Sequence, residues 1–222
     1  MIPLLRKALA LLALALAAPS ISVSHSSEVS SASTNKTIVV LGDSLAAGYG
    51  LEPEQAFPVL LQKKIDAAGW KVFVVINAGQ SGDTTAGGLR RLNWLLRRKI
   101  DVMIVELGGN DGLRGISLDE TRKNLEAIVR RTKDKYPGVR VALAGMQMPP
   151  NLGDEYVRPF KALYPEVAKK TGATLIPFLL ENVGGHPELN QADQIHPTAE
   201  GQQIVAENVW RVLQPILREL AQ

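Results

Sequence analysis

The chain has 222 residues, no cysteine and a formal net charge of +3, which falls to +1 without Arg6 and Lys7 near the N-terminus. A near-neutral chain without a basic stripe is not expected to bind nucleic acid. The lack of cysteine excludes disulfide bonds, thiolate metal sites and a cysteine nucleophile.

The first 18 residues have the pattern of a secretory signal peptide. Arg6 and Lys7 precede the apolar run Ala8–Ala18, which small residues follow. This run is shorter than the roughly 20 residues that a membrane-spanning helix needs, so we expect cleavage, with an uncleaved anchor as the alternative. Residues 19–36 are serine-rich and are predicted to form a flexible lead-in. The sequence therefore predicts export to the periplasm or the medium, without stable membrane insertion of the mature domain.

Residues 37–222 are long enough for one domain with a substantial core. Five short apolar runs alternate with segments of helical periodicity. These predicted strands are Thr37–Gly42, Lys71–Asn77, Asp101–Gly108, Val139–Gly145 and Ala173–Phe178. Strands that are apolar on both faces indicate a sheet covered by helices on both sides. The alternation predicts a mostly parallel α/β sandwich with right-handed crossovers.

Two helix starts carry recognisable signals. Ser117 and Glu120 have the spacing of a capping box, which predicts the start of the third helical segment. The last helix is expected from about Thr198 to Leu220, directly after a proline. Ligands of such sheets bind outside the carboxyl ends of the strands, so the loops that follow the strands are where a site is expected.

The turn after the first strand, GDSLAAGYG, contains Ser44. A neutral hydroxyl is a poor nucleophile and needs a general base within hydrogen-bond reach. His196 has Asp193 three residues upstream, so a carboxylate can orient Nδ1–H while Nε2 faces the serine. His25 lies in the serine-rich lead-in and His186 lacks such a partner, so neither is a good candidate.

An acyl-transfer site also needs donors for the oxyanion of its tetrahedral intermediate. The backbone N–H of Ser44 is one candidate. Gly79, in NAGQSG, follows the second strand, where backbone can approach a substrate closely. Asn110, in GGND, carries a side-chain amide after the third strand. The alternatives are an ordinary turn for Gly79 and helix capping for Asn110.

The ordered set Ser44, Gly79, Asn110 and His196 resembles the four blocks of the SGNH/GDSL hydrolase family, which are named for Ser, Gly, Asn and His. The chain is most similar to the branch of periplasmic arylesterases and multifunctional acyl-thioesterase/lysophospholipases, with which it shares GDTT and GGNDGLRG. The resemblance implies a flavodoxin-like three-layer α/β/α sandwich with a five-stranded, mostly parallel sheet. It also implies the catalytic residues Ser44, Asp193 and His196, with an oxyanion hole formed by Ser44, Gly79 and Asn110.

The implied activity is that of a serine esterase acting on aryl or short- to medium-chain acyl esters, with thioesters and lysophospholipids as further substrates. No cofactor or metal is expected. Asp43 and Asp111 are expected to fix turns. After the fourth strand, Met146, Met148 and Leu152 either line an apolar wall of the acyl pocket or pack as ordinary loop residues.

Other classes fit less well. A nucleotide- or flavin-binding module lacks the expected glycine motifs, and a lipase-type α/β-hydrolase needs G-x-S-x-G where this chain has GDSLA. A metal-dependent hydrolase lacks H-E-x-x-H and cysteine ligands. Within the family, a carbohydrate acetyl esterase remains an alternative. A non-catalytic relative that binds lipid or carbohydrate is a second, although such a protein usually loses one of the residues present here.

Overall fold

Short β-branched segments form one parallel sheet in the part of the chain that the computed structural model describes, residues 35–222. The predicted signal peptide and nearly all of the predicted lead-in lie outside these residues. The strands are β1 (Lys36–Gly42), β2 (Phe73–Gly79), β3 (Val102–Glu106), β4 (Arg140–Ala144) and β5 (Thr174–Ile176). They are ordered β2-β1-β3-β4-β5, and every neighbouring pair is parallel. This is the flavodoxin-like order, and it confirms the predicted α/β fold.

Helices connect the strands and cover the sheet. They are α1 (Ser44–Ala47), α2 (Phe57–Ala67), α3 (Thr85–Leu95), α4 (Gly109–Leu113), α5 (Leu118–Lys135), α6 (Asp154–Thr171) and α7 (Ala199–Leu220). Helix α2 packs against α7, whereas α3 and α6 both pack against α5. Right-handed crossovers place these two groups on opposite faces, because the chain moves one way from β1 to β2 and the other way afterwards.

Strand β2 differs from its prediction. It begins two residues later, at Phe73, because Lys71 and Val72 lie in a turn, and it continues to Gly79. It is an edge strand, and its side chains are mostly half-exposed; Val74 is 39% exposed. The prediction of burial on both faces is therefore wrong for this strand, since an edge position leaves part of an apolar run without cover.

The prediction of a capping box at the start of α5 is also wrong. Ser117 is the N-cap residue, but its side chain accepts no capping hydrogen bond. Its carbonyl oxygen instead accepts hydrogen bonds from the N–H and the hydroxyl of Thr121. Asp119 and Glu120 still lie in the first turn, where negative charge favours the positive end of the helix dipole.

The direction in which successive strands are added to the sheet reverses at β1. After β1 the chain adds β2 on one side, and it then returns to place β3 on the other side. The crossovers on the two sides leave the sheet in opposite directions, so a crevice opens between the carboxyl ends of β1 and β3. Gly42 and Glu106, which end these two strands, are paired in the sheet. The loops that carry Ser44 and Asn110 begin directly after them.

Candidate active site

Ser44 is the first residue of α1, a helix of a single turn that begins immediately after β1. Asp43 is its N-cap, and Asp43 Oδ1 accepts a hydrogen bond of 3.0 Å from the N–H of Leu45. The helix ends at Gly48, whose φ of 75° lies in the left-handed region that glycine tolerates. This tight strand–turn–helix places the Ser44 hydroxyl at the carboxyl edge of the sheet.

His196 lies in the loop before α7, next to a short antiparallel bridge between Asn190 and Pro197. Gln191 connects this loop to the turn after α1: its side-chain amide donates to the carbonyls of Tyr49, at 2.7 Å, and Pro197, at 3.0 Å. The N–H of Gln191 also donates to the carbonyl of His196. The loop is therefore fixed against the segment that carries Ser44, although 152 residues separate the two side chains.

Ser44, His196 and Asp193 form a continuous hydrogen-bonded chain. His196 Nε2 lies 2.9 Å from Ser44 Oγ, and His196 Nδ1 lies 2.7 Å from Asp193 Oδ2. When Nδ1 carries the proton and donates to Asp193, Nε2 is free to accept the serine proton. The ring of Tyr49 lies against the imidazole at a tilt of 40°, with the ring centroids 4.6 Å apart.

Asp193 is held as a carboxylate. Partial burial acts to raise its pKa, but hydrogen bonds from His196 and from the N–H of Ile195 outweigh burial and lower the pKa to about 2. Asp193 Oδ1 accepts the backbone N–H groups of both Ile195 and His196, each at 3.0 Å. The D-x-x-H spacing thus forms a local turn in which one carboxylate orients both the backbone and the ring of His196.

Asn110 is at the first turn of α4 and faces the same cleft as Ser44. One N–H of its side-chain amide donates to Asp43 Oδ2 at 3.1 Å, and the other has no acceptor among residues 35–222. Its Oδ1 accepts a hydrogen bond of 3.3 Å from the Arg114 guanidinium, which also donates to the carbonyl of Gly82. Asp43 and Arg114 therefore fix the orientation of the amide from its two ends.

The structure does not bring Gly79 into the cleft. Its N–H donates to Asn77 Oδ1 at 2.9 Å, and a Cβ at this position would overlap the backbone of α1. Gly82, three residues further along, does line the cleft with a φ of 82°. Its N–H has no acceptor among residues 35–222. Gly82 thus has the free N–H donor that was expected of Gly79. Gly79 instead lies where the backbone packs closely against α1. NAGQSG contains two glycines, and spacing alone does not choose between them.

The cleft has a volume of about 640 Å³, a usual size for a small-molecule site. Met146 and Met148 line it and also pack into the hydrophobic core, so both interpretations of this segment apply to them. Leu152 is not among the lining residues and is 44% exposed. His186 also lies outside the cleft lining, and its Nδ1 is 3.4 Å from Glu188.

Two aspartates fix turns, as expected. Asp43 caps α1, and Asp111 Oδ2 accepts the N–H of Thr85 at 2.8 Å, which connects the start of α3 to α4. Burial raises the pKa of Asp43 to about 6, against the lowering effect of its hydrogen bonds to Leu45 and Asn110. Asp43 thus also acts within the site, through Asn110.

Sequence reasoning missed Glu106. It is the last residue of β3, is fully buried, and lies beneath the turn that carries Ser44. Burial raises its pKa well above the ordinary range, and the neighbouring Asp43 raises it further. The available signal was an acidic residue inside the apolar run VMIVELG, because charged residues are rarely fully buried without a partner.

The described part of the chain contains neither a cluster of metal-binding side chains nor a helix suited to span a membrane. Residues 35–222 hold no group of three or more His, Cys, Asp or Glu side chains placed to bind a metal ion. Across the same residues, no helix combines the length and apolarity needed to cross a bilayer. The cleft brings together a serine hydroxyl, an imidazole, an orienting carboxylate and a side-chain amide, which is a set suited to acyl transfer.

Comparison with known proteins places this geometry among hydrolases. Residues 40–204 match the model of the GDSL-like Lipase/Acylhydrolase family. The esterase TesA of Pseudomonas aeruginosa is 43% identical over 183 residues, which cover 82% of this chain and 90% of TesA. A crystal structure of TesA has a TM-score of 0.78 and 42% identity, covering 81% of this chain and 99% of that chain.

Two further relatives have different named activities. The thioesterase 1/protease 1/lysophospholipase L1 of Escherichia coli K12 is 38% identical over 183 residues, covering 82% of this chain and 85% of the relative. An arylesterase of Vibrio mimicus is 39% identical over 180 residues, covering 81% of this chain and 88% of the relative. These names share the hydrolysis of ester or thioester bonds.

Proposed function

The chain belongs to the GDSL-like lipase/acylhydrolase family and is a hydrolase of ester bonds, and we propose that it acts through an acyl-enzyme formed on Ser44. The observation that carries the proposal is the chain of hydrogen bonds from Ser44 Oγ through His196 to Asp193, at 2.9 and 2.7 Å. A serine hydroxyl becomes a competent nucleophile when a base in this position can remove its proton.

In the proposed reaction, His196 Nε2 takes the proton of Ser44 as Oγ forms a bond to the ester carbonyl carbon. The imidazolium is stabilised by the carboxylate of Asp193, which stays ionised. Collapse of the tetrahedral intermediate breaks the bond to the leaving alcohol or thiol, which takes the proton from His196. Water then attacks the acyl-enzyme with His196 as base, and the acid is released with Ser44 regenerated.

The oxyanion is proposed to be held by three donors: the N–H of Ser44, the free amide N–H of Asn110 and the N–H of Gly82. Ser44 begins a helix, where the first N–H groups lack partners within the helix. Gly82 replaces Gly79 in this role because it lines the cleft and Gly79 does not. Removal of one such donor typically lowers kcat by about 10²–10³-fold.

The proposed substrates are aryl and short- to medium-chain acyl esters, with thioesters and lysophospholipids as further candidates, in line with the names of the relatives. Apolar side chains dominate the cleft walls, which suits an acyl chain. The walls are formed by Leu113, Met146, Met148, Phe178, Leu180 and Ile195. The flexible thioethers of the two methionines can adapt to chains of different length.

Export is part of the proposal. It rests on the signal-peptide pattern of the first 18 residues, which lie outside the described part of the chain. An exported hydrolase would meet little acyl-CoA, so esters and lysophospholipids are the proposed physiological substrates and thioesters are secondary.

Substitution of the nucleophile tests the proposed mechanism. Ser44→Ala is expected to lower kcat on p-nitrophenyl acetate by roughly 10⁴–10⁶-fold, because the acyl-enzyme cannot form. The far-ultraviolet circular dichroism spectrum and the urea midpoint should stay close to those of the wild type, since the hydroxyl is at the surface of the cleft. Activity of Ser44→Ala within tenfold of the wild type would rule out Ser44 as the nucleophile.

A substrate series tests the proposed specificity. The values of kcat/KM for p-nitrophenyl esters with acyl chains of about 2 to 16 carbons are expected to peak at short to medium chains, because the acyl chain binds along the apolar wall. The same preparation would be assayed on a lysophospholipid, an acyl-CoA and acetylated xylan. A clear preference for acetylated xylan would favour the carbohydrate acetyl esterase instead.

A further inference from the structure

Glu106 is a buried carboxyl group that the proposed reaction at Ser44 does not use directly. It has no exposed surface, and one of its oxygens, Oε1, has no hydrogen-bond donor within the described residues. Burial strongly disfavours a carboxyl group that is charged and unpaired. Such a group in the middle of a site needs a physical reason for its presence.

The other oxygen of Glu106 binds the turn that carries the nucleophile. Oε2 accepts the N–H of Asp43 at 3.1 Å and the N–H of Ala46 at 3.2 Å. These two residues flank Ser44, one before it and the other two positions after it. A single oxygen therefore holds both ends of the Ser44 turn from below, and it satisfies two N–H groups that the short helix leaves without partners.

The sheet leaves room for this carboxyl group. Gly42 and Glu106 are paired across β1 and β3, and a Cβ on Gly42 would overlap both Glu106 Oε2 and the methyl group of Ala46. A side chain at position 42 would therefore push the carboxyl group away from the turn. Gly42, the glycine of GDSL, is therefore needed for the close approach of Glu106 and not only for the turn.

Glu106 also reaches the oxyanion donors through Asp43. Its Oε2 accepts the backbone N–H of Asp43 at 3.1 Å, and Asp43 in turn contacts Asn110. Burial raises the pKa of both carboxyl groups. Asp43 Oδ2 accepts a hydrogen bond of 3.1 Å from the Asn110 amide.

We propose that Glu106 is a positioning residue for ester hydrolysis: its carboxyl group fixes the Ser44 turn and, through Asp43, the Asn110 amide. This inference rests on the proposed roles of Ser44 and Asn110. Glu106 touches neither substrate nor reacting atoms. Its effect is to hold the nucleophile and one oxyanion donor in a fixed geometry, so its loss should appear in kcat and leave substrate binding nearly unchanged.

The test compares three variants of Glu106. Glu106→Gln keeps an oxygen at the same reach for both N–H groups, so kcat should stay within about fivefold of the wild type. Glu106→Leu removes both functions and should lower kcat by about 10²-fold with KM changed by less than about threefold. Glu106→Asp keeps the acid but shortens its reach, and it should lower kcat by about tenfold or more.

A matched control separates positioning from stability. Glu126 is another buried acid, paired with Lys170 on the outer side of the fold, and Glu126→Leu should destabilise the protein without changing kcat. All variants would be assayed on p-nitrophenyl acetate at a temperature where urea unfolding curves show complete folding. If Glu106→Leu does not fold, Glu106→Asp and Glu106→Gln decide the matter alone.

Two results would overturn the inference: a folded Glu106→Leu or Glu106→Asp with the kcat of the wild type, or a Glu106→Gln as impaired as Glu106→Leu. Ser44→Ala is included in the same assay. If Ser44→Ala is active, the proposed function itself has failed. If it is inactive while the Glu106 variants keep full activity, the role of Glu106 alone has failed.

Discussion

At the scale of single residues, the site depends on carboxyl groups in contrasting environments. Asp193 accepts three hydrogen bonds and has a pKa lowered to about 2, which suits its proposed role beside an imidazolium. Asp43 is 2% exposed, and burial raises its pKa to about 6. The first carboxyl group is stabilised by folding as an anion, whereas the second is penalised as an anion. This difference has a measurable consequence for stability.

Stability should fall as pH rises through the range in which folded Asp43 ionises. The pKa of Asp43 is about 6 when folded and 3.8 at its ordinary value, so between these pH values the folded state binds more protons than the unfolded state. A shift of this size corresponds to about 3 kcal/mol. Much of this difference falls between pH 4 and pH 7, so over that range the free energy of unfolding of Asp43→Asn should decrease by about 2 kcal/mol less than that of the wild type.

Urea unfolding at pH 4, 5.5 and 7 gives the measurement, and Asp193→Asn is its control. Asp193 titrates between its folded pKa of about 2 and the ordinary 3.8, so the stability it contributes is lost as pH falls through this range. Asp193→Asn should therefore retain the loss of stability that Asp43 causes between pH 4 and 7. An unchanged pH dependence in Asp43→Asn would show that Asp43 is not buried as described.

At the scale of secondary-structure elements, the close approach of β2 to α1 fixes where Ser44 lies. Gly79 ends β2 beside Gly42, its partner in β1. A Cβ on Gly79 would lie 2.8 Å from the carbonyl carbon of Ala46 and 2.9 Å from the Cα of Ala47. These are backbone atoms of α1, which cannot move without moving Ser44.

Gly79→Ala should therefore reduce both stability and activity. We expect the free energy of unfolding to fall by about 1–3 kcal/mol, as for other overpacked sites. We expect kcat to fall roughly 10²-fold, because α1 is displaced from His196. Gly138→Ala is the matched control: a Cβ there meets no atom within 4 Å, so stability should change by less than about 0.5 kcal/mol. Wild-type kcat in Gly79→Ala would contradict this role for Gly79.

The site residues on these elements differ in how well the sequence can predict their positions. Asp193 and His196 are three residues apart, and their contact is a local turn that spacing can indicate. Gly79 and Gly82 differ only in how the chain turns after β2, and that depends on packing against α1 and on Arg114. The role of Glu106 depends on its register with Gly42 in a neighbouring strand. Long-range register is not contained in a local motif.

At the scale of the whole molecule, the predictions were more successful. The alternation of apolar runs and helical segments was enough to predict the parallel sandwich, because two-sided apolarity and right-handed crossovers leave few topologies. Edge strands were the exception, since composition does not show which strand ends the sheet. The order β2-β1-β3-β4-β5 then places the crevice at the ends of β1 and β3, where Ser44 and Asn110 lie.

Centrally, we propose that the groups in this crevice activate Ser44 as the nucleophile. The most direct measurement is intact mass spectrometry, followed by peptide mapping, after treatment with diethyl p-nitrophenyl phosphate, which phosphorylates activated serines. We expect one diethylphosphoryl group per chain, carried by Ser44, with loss of esterase activity in proportion to labelling, and no labelling of Ser44→Ala. Full inactivation with the group on another residue, or labelled protein that remains fully active, would contradict the account.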